Sequence, residues 1–477
     1  MPFLIIFAAL FTVLFTVALV RAIRFTPTKT ERAPVDKLDI DSVRAAEELS
    51  ALISCRTVSS REEGGEDARE FARFPKLLAE TFRLFHKTCE ASVIGERALL
   101  YRWRGESAAS PVVLMAHYDV VYADESQWSV PPFSGAVKDG FLWGRGALDT
   151  KLTVSTMLHA AEMLMRDGFV PSRDVYFAFG GDEEINGRGA PDIVAHFESL
   201  GIYPSLVLDE GGAVVKGVFP GVTSSAALIG IAEKGMVNLS YTVNGAGGHA
   251  SAPKGDTPAV KLARAAIRTV SRPFSFRITE PARVMLDTLA RHSTFGYRFV
   301  FANLWLFSPV LRLIARGGGE LGAIFRTTVA FSELHGAEGA NVIPTTASLV
   351  SNQRILHGDT PESVREHIER AVGDKSVQVR IINAIPPSHL SRTDVAEYSL
   401  VASTVNEVWQ SAIVSPYLMI ACSDARHWGR LCDRVYRFSP LEFVADERAT
   451  IHGNDERVAL SSVEKAVEFF YRLIRKI

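Results

Sequence analysis

The sequence has little cysteine and no marked excess of charge of either sign. Four cysteines are scattered over 477 residues without CxxC spacing, which indicates neither a disulfide scaffold nor a thiolate metal site. The formal net charge is −2, so neither a basic surface for nucleic acid nor an acidic tail is indicated. The chain also lacks an internal repeat and a low-complexity segment. Its composition is that of an ordinary globular protein, and its length suits two or three domains.

One long apolar run stands at the N-terminus. Phe3 to Val20 contains no charged residue, and as a helix it spans roughly 27 Å, close to the thickness of a bilayer core. Its start is uncharged and no small-residue cleavage site follows, so we expect residues 1–24 to form an uncleaved membrane anchor. A cleaved signal peptide, and hence export, is the alternative. Arg21 and Arg24 favour a cytoplasmic enzyme under the positive-inside rule, but they do not settle the orientation.

After a linker at residues 25–38, the segment 39–231 alternates between buried strands and amphipathic helices. Short apolar runs are typical of buried strands in a mostly parallel sheet, and they span residues 111–116, 175–180 and 206–208. Apolar positions at helical spacing predict a helix over residues 151–166. This order predicts an α/β fold with a mostly parallel, doubly wound domain.

The pattern changes at about residue 232. Alternating apolar positions predict a half-buried strand over 237–243, so we expect an inserted α+β domain over 232–355, with 356–477 returning to the first domain. Within it lies a long apolar insertion, 274–331, whose Asn303, Pro309 and Arg312 argue against a transmembrane span. We interpret the insertion either as additional core of the lid or a dimer contact, or as an apolar surface for an acyl chain or a membrane.

Acidic and imidazole side chains follow the predicted strands at their carboxyl ends or lie in the loops between them. They are His117, Asp119, Asp149, Glu183, Glu184 and Asp209. In open α/β sheets this edge is where functional sites are built. A lone histidine or a Glu-Glu pair is typical of a structural or solvated position. The joint pattern of H-x-D, G-R-G-x-x-D, G-D-E-E and a strand ending in Asp instead indicates a metal site.

The residue types suit a dinuclear centre. Zinc binds imidazole nitrogen and carboxylate oxygen at about 2.0–2.2 Å, and two ions about 3.5–4 Å apart need one bridging carboxylate. A glutamate that is not a ligand, beside one that is, can take a proton from the attacking water. Asp119, two residues after His117, can accept from the second imidazole nitrogen and fix its tautomer.

These motifs resemble the dinuclear zinc aminoacylase and carboxypeptidase family (peptidase family M-twenty) over nearly the whole chain after residue 38. The resemblance implies two divalent ions, zinc, and five ligands: His117, Asp149, Glu184, Asp209 and His452. In the family pattern His117 and Asp209 hold one ion and Glu184 and His452 hold the other, while Asp149 bridges them. Glu183 is then the general base. The assignment of His452, in A-T-I-H-G-N-D-E, rests on the resemblance alone.

The inserted domain resembles the family's lid. His249, in G-A-G-G-H-A-S-A-P, can donate to a developing oxyanion, and in the family this histidine often completes the site of a partner subunit, which implies a homodimer formed through the lid. Asn341 and Arg354 resemble residues of the lid that hold substrate, and Arg354 can bind a carboxylate bidentately. Arg426, in C-S-D-A-R, resembles a loop near the site.

The expected activity is hydrolysis of an amide bond in a short peptide, cut from its C-terminal end, or in an N-acyl amino acid. The apolar N-terminus and the insertion resemble carboxypeptidase S and the enzymes that make and break N-fatty-acyl amino acids. One alternative is an aminopeptidase of the related dinuclear clan, which would lack the G-G-H lid motif. Another is an inactive homologue that serves as a binding module, although all the ligands and the base are present.

Overall fold

The computed structural model of the chain describes residues 2–27, 34–217, 219–443 and 445–477. The α-helices are α1 (Pro2–Arg24), α2 (Ser42–Ile53), α3 (Ala68–Thr81), α4 (Arg83–Thr88), α5 (Lys151–Arg166), α6 (Gly189–Ser199), α7 (Pro258–Ser271), α8 (Glu280–Arg291), α9 (Phe295–Ala302), α10 (Leu304–Arg316), α11 (Gly319–Phe325), α12 (Pro361–Val372), α13 (Ala396–Val408), α14 (Ala445–Arg448) and α15 (Leu460–Arg475). Two short 3₁₀ helices span Glu125–Gln127 and Asp424–Arg430.

The strands are β1 (Glu90–Ile94), β2 (Ala98–Trp103), β3 (Val112–His117), β4 (Val137–Lys138), β5 (Phe141–Trp143), β6 (Val175–Gly180), β7 (Leu206–Asp209), β8 (Val214–Val215), β9 (Ala226–Glu233), β10 (Gly235–Asn244), β11 (Gly248–His249), β12 (Thr328–His335), β13 (Val342–Ile343), β14 (Thr346–Ile355), β15 (Val377–Ile385), β16 (Ile413–Met419), β17 (Val435–Arg437) and β18 (Arg457–Ala459).

A large sheet of strand order β1-β2-β6-β3-β7-β17-β9-β16 forms the centre of the main domain. The central strands β6, β3, β7 and β17 run parallel, whereas β1 and β2 are antiparallel at one edge. Every residue of β3, β6 and β7 is buried, which explains why these strands read as continuous apolar runs. The expected α/β class with a mostly parallel sheet is confirmed.

Helices cover both faces of the large sheet. On one face α2, α5 and α15 form a single core with side chains such as Leu114 and Phe177, and α5 buries nearly its whole length. On the other face α6 and the 3₁₀ helix at Asp424–Arg430 pack against Val113, Met115 and Val207. Because successive side chains of a strand point to opposite faces, each buried strand supplies both cores.

A four-stranded antiparallel sheet, β12-β14-β10-β15, forms the lid domain. Alternate side chains of β10, from Val237 to Val243, are buried in the core that α7 and α12 cover. The strand β15 pairs with β10 from Val377 to Ile385. The lid therefore continues to Ile385 instead of ending at residue 355 as expected, because α12 and β15 complete its core.

Helices α8 to α11 carry most of the apolar insertion 274–331, and they lie against the main domain. Met285, Leu286 and Leu289 of α8 share a core with Leu228 of β9 and Ile413 of β16. This core is separate from that of the lid sheet. Helices α8 to α11 thus cover the β16 end of the large sheet, whereas the two ends of the insertion, with Phe274, Val329 and Phe331, belong to the lid core.

Helix α1 is the long apolar run at the N-terminus. Among the described residues it is long and apolar enough to cross a membrane, a property that signal sequences share. Helices α9 and α10 meet at Asn303 with a bend of 107°, and together they are also apolar enough for a broken span or a re-entrant segment. Near its end α1 contacts α9, where Ala18 and Ala22 are buried.

Candidate metal centre and active site

Three neighbouring parallel strands end at the same edge of the large sheet and carry the acidic and imidazole groups there. His117 is the last residue of β3 and pairs with Gly180, the last residue of β6. Asp209 ends β7, which lies beside β3 on its other side. The loop before α5 brings Asp149 to this edge, so the site forms at the carboxyl ends of the strands, as the sequence predicts.

Asp149 lies between the two histidines of the predicted ligand set. Its Oδ1 is 3.0 Å from His117 Nε2, and its Oδ2 is 3.0 Å from His452 Nε2. One carboxylate oxygen thus faces each imidazole. This is the arrangement that a carboxylate needs in order to bridge two ions.

A further carboxylate lies beside each histidine. Glu184 Oε2 is 3.0 Å from His452 Nε2, and Glu210 Oε1 is 3.5 Å from His117 Nε2. Two ligand atoms bound to one tetrahedral zinc at about 2.0–2.1 Å are roughly 3.3 Å apart. The spacing therefore suits two overlapping triplets that share Asp149, one with His117 and Glu210 and one with His452 and Glu184.

Asp209, the ligand expected from the sequence, does not face His117. Its buried carboxylate accepts a hydrogen bond of 2.8 Å from Ala425 N. Along β7 it is on the same side as Val207, which packs in the cluster that contains Ala425. Glu210, just beyond the strand, takes the place beside His117, and the alternation of side chains along β7 is the sequence signal that was missed.

The crowding of carboxylates here suits divalent cations. Burial raises the pKa of Glu210 to about 8 and that of Asp209 to about 6, and it raises the pKa of Glu183 well above its ordinary value. Although burial opposes it, hydrogen bonds from His117 hold the pKa of Asp149 below its usual range. Imidazole and carboxylate groups that converge in this way are the ligand types of zinc and similar ions, so the residues fit a metal centre.

Asp119 holds the loop of the two glutamates in place. Its carboxylate accepts hydrogen bonds from the backbone N–H groups of Glu183 and Glu184, both at 3.1 Å, and from Ser59 Oγ at 2.7 Å. His117 Nδ1 is 2.9 Å from the Asp119 carbonyl oxygen and 3.4 Å from its Oδ1. Asp119 thus orients both the imidazole and the glutamate loop, and the carbonyl is the nearer acceptor for the ring.

Glu456 joins the loop of His452 to the loop of Asp149. Its fully buried carboxylate accepts hydrogen bonds from Arg145 Nη1, Gly146 N, Leu148 N and Asp149 N. The carboxylate therefore fixes the backbone that carries the shared Asp149. Glu456 is the last residue of the H-G-x-x-E loop, but sequence reasoning did not assign it a role.

Two arginines meet at the loop 422–426. Arg354 Nη1 donates to Cys422 Sγ at 3.2 Å. Arg426 pairs with the buried Glu233 at 3.1 Å, and its buried Nη1 has no hydrogen-bond partner among the described residues. The same loop provides Ala425 N for Asp209, so both guanidinium groups contact a loop that also touches the acidic cluster, which consists of Asp149, Glu183, Glu184, Asp209 and Glu210.

His249 and Asn341 lie together on the lid. His249 pairs with Val342 across β11 and β13, and the backbone oxygen of Asn341 accepts a hydrogen bond from Ala250 N. The exposed ring of His249 contacts Ser251, with the two side chains 2.8 Å apart. Within the described part of this chain, His249 is not among the side chains gathered around Asp149.

The sequence profile of Peptidase family M20/M25/M40 matches residues 113–476. The chain is 34% identical over 469 residues to Probable carboxypeptidase S-like 2 of Dictyostelium discoideum, which covers 95% of this chain and 90% of that protein. It is 35% identical over 437 residues to N-fatty-acyl-amino acid synthase/hydrolase PM20D1 of Xenopus tropicalis, which covers 90% of this chain and 85% of that protein.

The fold is also found among solved structures. Human carnosine dipeptidase 1 matches with a TM-score of 0.68 over 93% of this chain and 99% of that chain, at 13% identity, which supports the fold alone. His117, Asp149, Glu184, Glu210 and His452 all lie inside the range that the family profile covers. From the profile and the curated relatives together, the chain belongs to peptidase family M20/M25/M40.

Proposed function

We propose that this chain is a dinuclear metal-dependent hydrolase that cuts the amide bond of an N-acyl amino acid or of a short peptide at its C-terminal end. The observation that carries the proposal is Asp149 between two imidazoles, one oxygen at 3.0 Å from each. The names of the relatives, carboxypeptidase S-like protein and N-fatty-acyl-amino acid synthase/hydrolase, suit these two substrate classes.

The proposed ligands for two zinc ions are His117, Asp149 and Glu210 on one side and His452, Asp149 and Glu184 on the other. Glu210 replaces Asp209 in the set expected from the sequence, because its carboxylate is the one that faces His117. When bound, the ions polarise the scissile carbonyl and lower the pKa of the attacking water.

Glu183 is proposed to move the proton. It lies beside Glu184, and the ligand atoms of Glu183, His117 and Glu210 lie within 4.8 Å of one another, so its carboxylate is close enough to reach a water at the ion that His117 would hold. Glu183 takes a proton from the attacking water and later gives it to the leaving amine. The hydrogen bond from its backbone N–H to Asp119 holds this part of the loop in place during both transfers.

Arg354 and Arg426 are proposed to bind the carboxylate of the substrate. Thiol sulfur is a weak acceptor, so the contact of Arg354 with Cys422 leaves its guanidinium able to bind a carboxylate in bidentate fashion. The buried Nη1 of Arg426, which has no hydrogen-bond partner in the described part of the chain, offers a further donor nearby. A free carboxylate on the amine side of the scissile bond would satisfy these donors.

His249 and Asn341 are proposed to act in a homodimer formed through the lid. His249 is exposed and stands apart from the acidic cluster of its own chain, so it can donate to the oxyanion in the site of a partner subunit. We also propose that α1 is an uncleaved anchor that holds the enzyme on a membrane, with export after cleavage as the alternative.

The decisive experiment compares N-acyl amino acids with their amide-capped analogues, using the zinc-loaded full chain. We expect kcat/KM to fall about tenfold to 100-fold on capping, which is the loss of about 1.5–3 kcal/mol for a hydrogen bond to a charged group. Arg354→Met should reduce the difference, because only the Arg426 donor would then remain for the carboxylate. The matched control is Arg104→Met at an exposed arginine that pairs with Glu90, and it should leave the difference unchanged.

The alternatives give different results in the same assay. Equal kcat/KM for the acid and the amide would contradict the carboxylate clamp. Release of N-terminal residues from a peptide panel would indicate an aminopeptidase instead. A chain that binds two ions but turns over no substrate would be an inactive homologue.

A further inference from the structure

An apolar cavity of about 160 Å³ lies between the main domain and the insertion. On the insertion side it is lined by Met285 and Leu289 of α8 and by Leu321 of α11, and on the side of the main domain by Ala213 and Leu228. The helices that form this wall belong to the insertion at 274–331. The insertion therefore encloses an apolar space against the domain that carries the acidic cluster.

The cavity adjoins the proposed metal centre through two backbone segments. Gly211 and Gly212, which directly follow Glu210, line it, and so does Ile451, which directly precedes His452. Consecutive Cα atoms are 3.8 Å apart, so the backbone that lines the cavity is one residue away from a proposed ligand of each ion. A Cβ on Gly212 would be 1.8 Å from the carbonyl oxygen of Leu228, so the backbone at this point has no room for a side chain.

We propose that this cavity receives the apolar acyl group of the substrate while the amide bond lies at the metal centre. The inference rests on the proposed function and adds a size limit to it. An engineered apolar cavity of about 150 Å³ holds benzene, so this one holds about six carbon atoms. Each buried methylene contributes about 0.8 kcal/mol, which is about fourfold in kcat/KM.

An ion pair marks where the cavity meets solvent. Arg448 and Glu320 both line the cavity and pair with each other, and their side chains are about half exposed. Carbon atoms beyond the sixth reach this polar border and gain little from further burial. Activity therefore rises with acyl length up to about six carbons and then levels off.

Leu321 offers a test in both directions, since a larger or smaller side chain there changes the volume of the cavity. With N-acyl glycines from acetyl to dodecanoyl, Leu321→Trp should lower kcat/KM for hexanoyl at least tenfold and leave acetyl within twofold. Leu321→Ala should move the plateau to longer chains. The controls Leu200→Trp and Leu200→Ala alter an exposed leucine that follows α6 and should leave the wild-type profile unchanged.

A binding measurement separates this inference from the proposed function. N-hexanoyl glycine and N-acetyl glycine are each titrated calorimetrically into Glu183→Gln with and without Leu321→Trp. Tighter binding of hexanoyl than of acetyl that is lost on adding Leu321→Trp supports the cavity, even where the wild-type chain shows no turnover. Wild-type activity that is equal for acetyl and hexanoyl, or a profile that Leu321 does not alter, overturns it.

A different observation carries a second inference, which concerns α9 and α10. The end of α1 is attached to their junction, where Asn303 Nδ2 donates to the Ala18 carbonyl at 2.9 Å and Arg21 Nε donates to the Ala302 carbonyl at 3.1 Å. On the outer side of α10 a row of large apolar side chains is exposed: Trp305, Leu306, Val310, Leu313 and Ile314. The inner side of α10, with Leu311 and Ala315, packs in the core of the insertion.

We infer that the outer side of α10 lies in the interface of the bilayer that holds α1. The bilayer is the occupant because the proposed anchor is attached at this junction, so the exposed apolar row is continuous with the membrane segment. A helix of this kind lies in the membrane plane with its apolar side buried, and an indole near its end suits the headgroup level. The inference rests on the proposed anchor.

Spin labels on the full chain in phosphatidylcholine vesicles test it. Three of the four native cysteines are buried, and a labelled wild-type chain corrects for Cys422. At Leu313→Cys we expect collisions with oxygen to exceed those with a water-soluble nickel complex, as at Ile6→Cys on α1. The exposed lid residue Ile382→Cys should show the reverse.

The two labels distinguish failure of the anchor from failure of the inference. If Ile6→Cys is in lipid and Leu313→Cys behaves like Ile382→Cys, α10 does not touch the bilayer. If Ile6→Cys itself is in water, the anchor proposal fails and this inference fails with it.

Discussion

The substitution Glu210→Gln removes a carboxylate charge 3.5 Å from His117 Nε2 while it keeps the size of the side chain. If Glu210 is a ligand, the ion held by His117 loses one of its charged donors. Loss of a group that only orients a ligand costs about tenfold to 100-fold in metal affinity. Loss of the ligand itself should cost more than about 100-fold, which corresponds to about 2.7 kcal/mol at 1.36 kcal/mol per tenfold.

The neighbouring substitution Asp209→Asn is the matched comparison. The amide oxygen of asparagine can still accept the hydrogen bond from Ala425 N, so the backbone stays in place. Because Asp209 does not face His117, its loss should lower metal affinity by no more than about 100-fold, which is the upper end of the range for a group that only orients a ligand. Each substitution replaces one carboxylate oxygen with an NH2 group and keeps the size of the side chain, so packing changes little in either variant.

Zinc content per chain after dialysis against submicromolar zinc distinguishes the two variants. We expect about one ion in Glu210→Gln and two in Asp209→Asn, with thermal unfolding used to show that both variants are folded. The opposite result, with two ions in Glu210→Gln and one in Asp209→Asn, would restore Asp209 as the ligand. It would refute the assignment of Glu210 as the carboxylate that binds the ion beside His117.

Three further predictions concern the base, a positioning residue and a buried lysine. Glu183→Gln should keep both ions and lose about 10²–10⁴-fold in kcat, and a near-normal rate would exclude Glu183 as the base. Glu456→Gln should lower zinc affinity about tenfold to 100-fold in a chelator competition, since four donors on the Asp149 loop lose a charged acceptor; unchanged affinity would contradict this role. Burial lowers the pKa of Lys234 to about 7, so between about pH 7 and 10.4 the unfolded chain binds more protons and stability rises with pH. Lys234→Met should flatten that rise in urea unfolding at about pH 6.5 and 9.5, and an unchanged slope would count against the depressed pKa.

The elements that position the site could be predicted from the sequence because local pattern and burial agree there. Helix α5 begins at Lys151 and ends at Arg166, as its apolar spacing predicts, and β6 spans the predicted residues 175–180. Buried parallel strands are apolar on both faces, so their ends are easy to find, and polar residues just beyond them mark the edge of the sheet. The candidate site residues His117, Glu183 and Glu184 were predicted in this way.

The partners of an apolar surface could not be predicted in the same way. Hydrophobic spacing shows which side of α8 is buried, but it does not show whether β16 or the lid sheet covers that side. In the same way, the sequence of residues 361–385 did not indicate that this segment packs beside β10. The pairing of two strands depends on residues that are far apart along the chain. The lid boundary and the packing of the insertion therefore needed the structure.

The proposed metal centre and the apolar cavity are built on the same two backbone segments, which would link chemistry to specificity. Glu210 is followed by the glycines that line the cavity, and His452 is preceded by Ile451, which also lines it. Because the acyl group would contact the neighbours of two proposed ligands, its binding energy can be used to hold Glu210 and His452 in their reactive positions. Binding energy used in this way lowers the barrier of the chemical step, so longer acyl groups should raise kcat and not only lower KM.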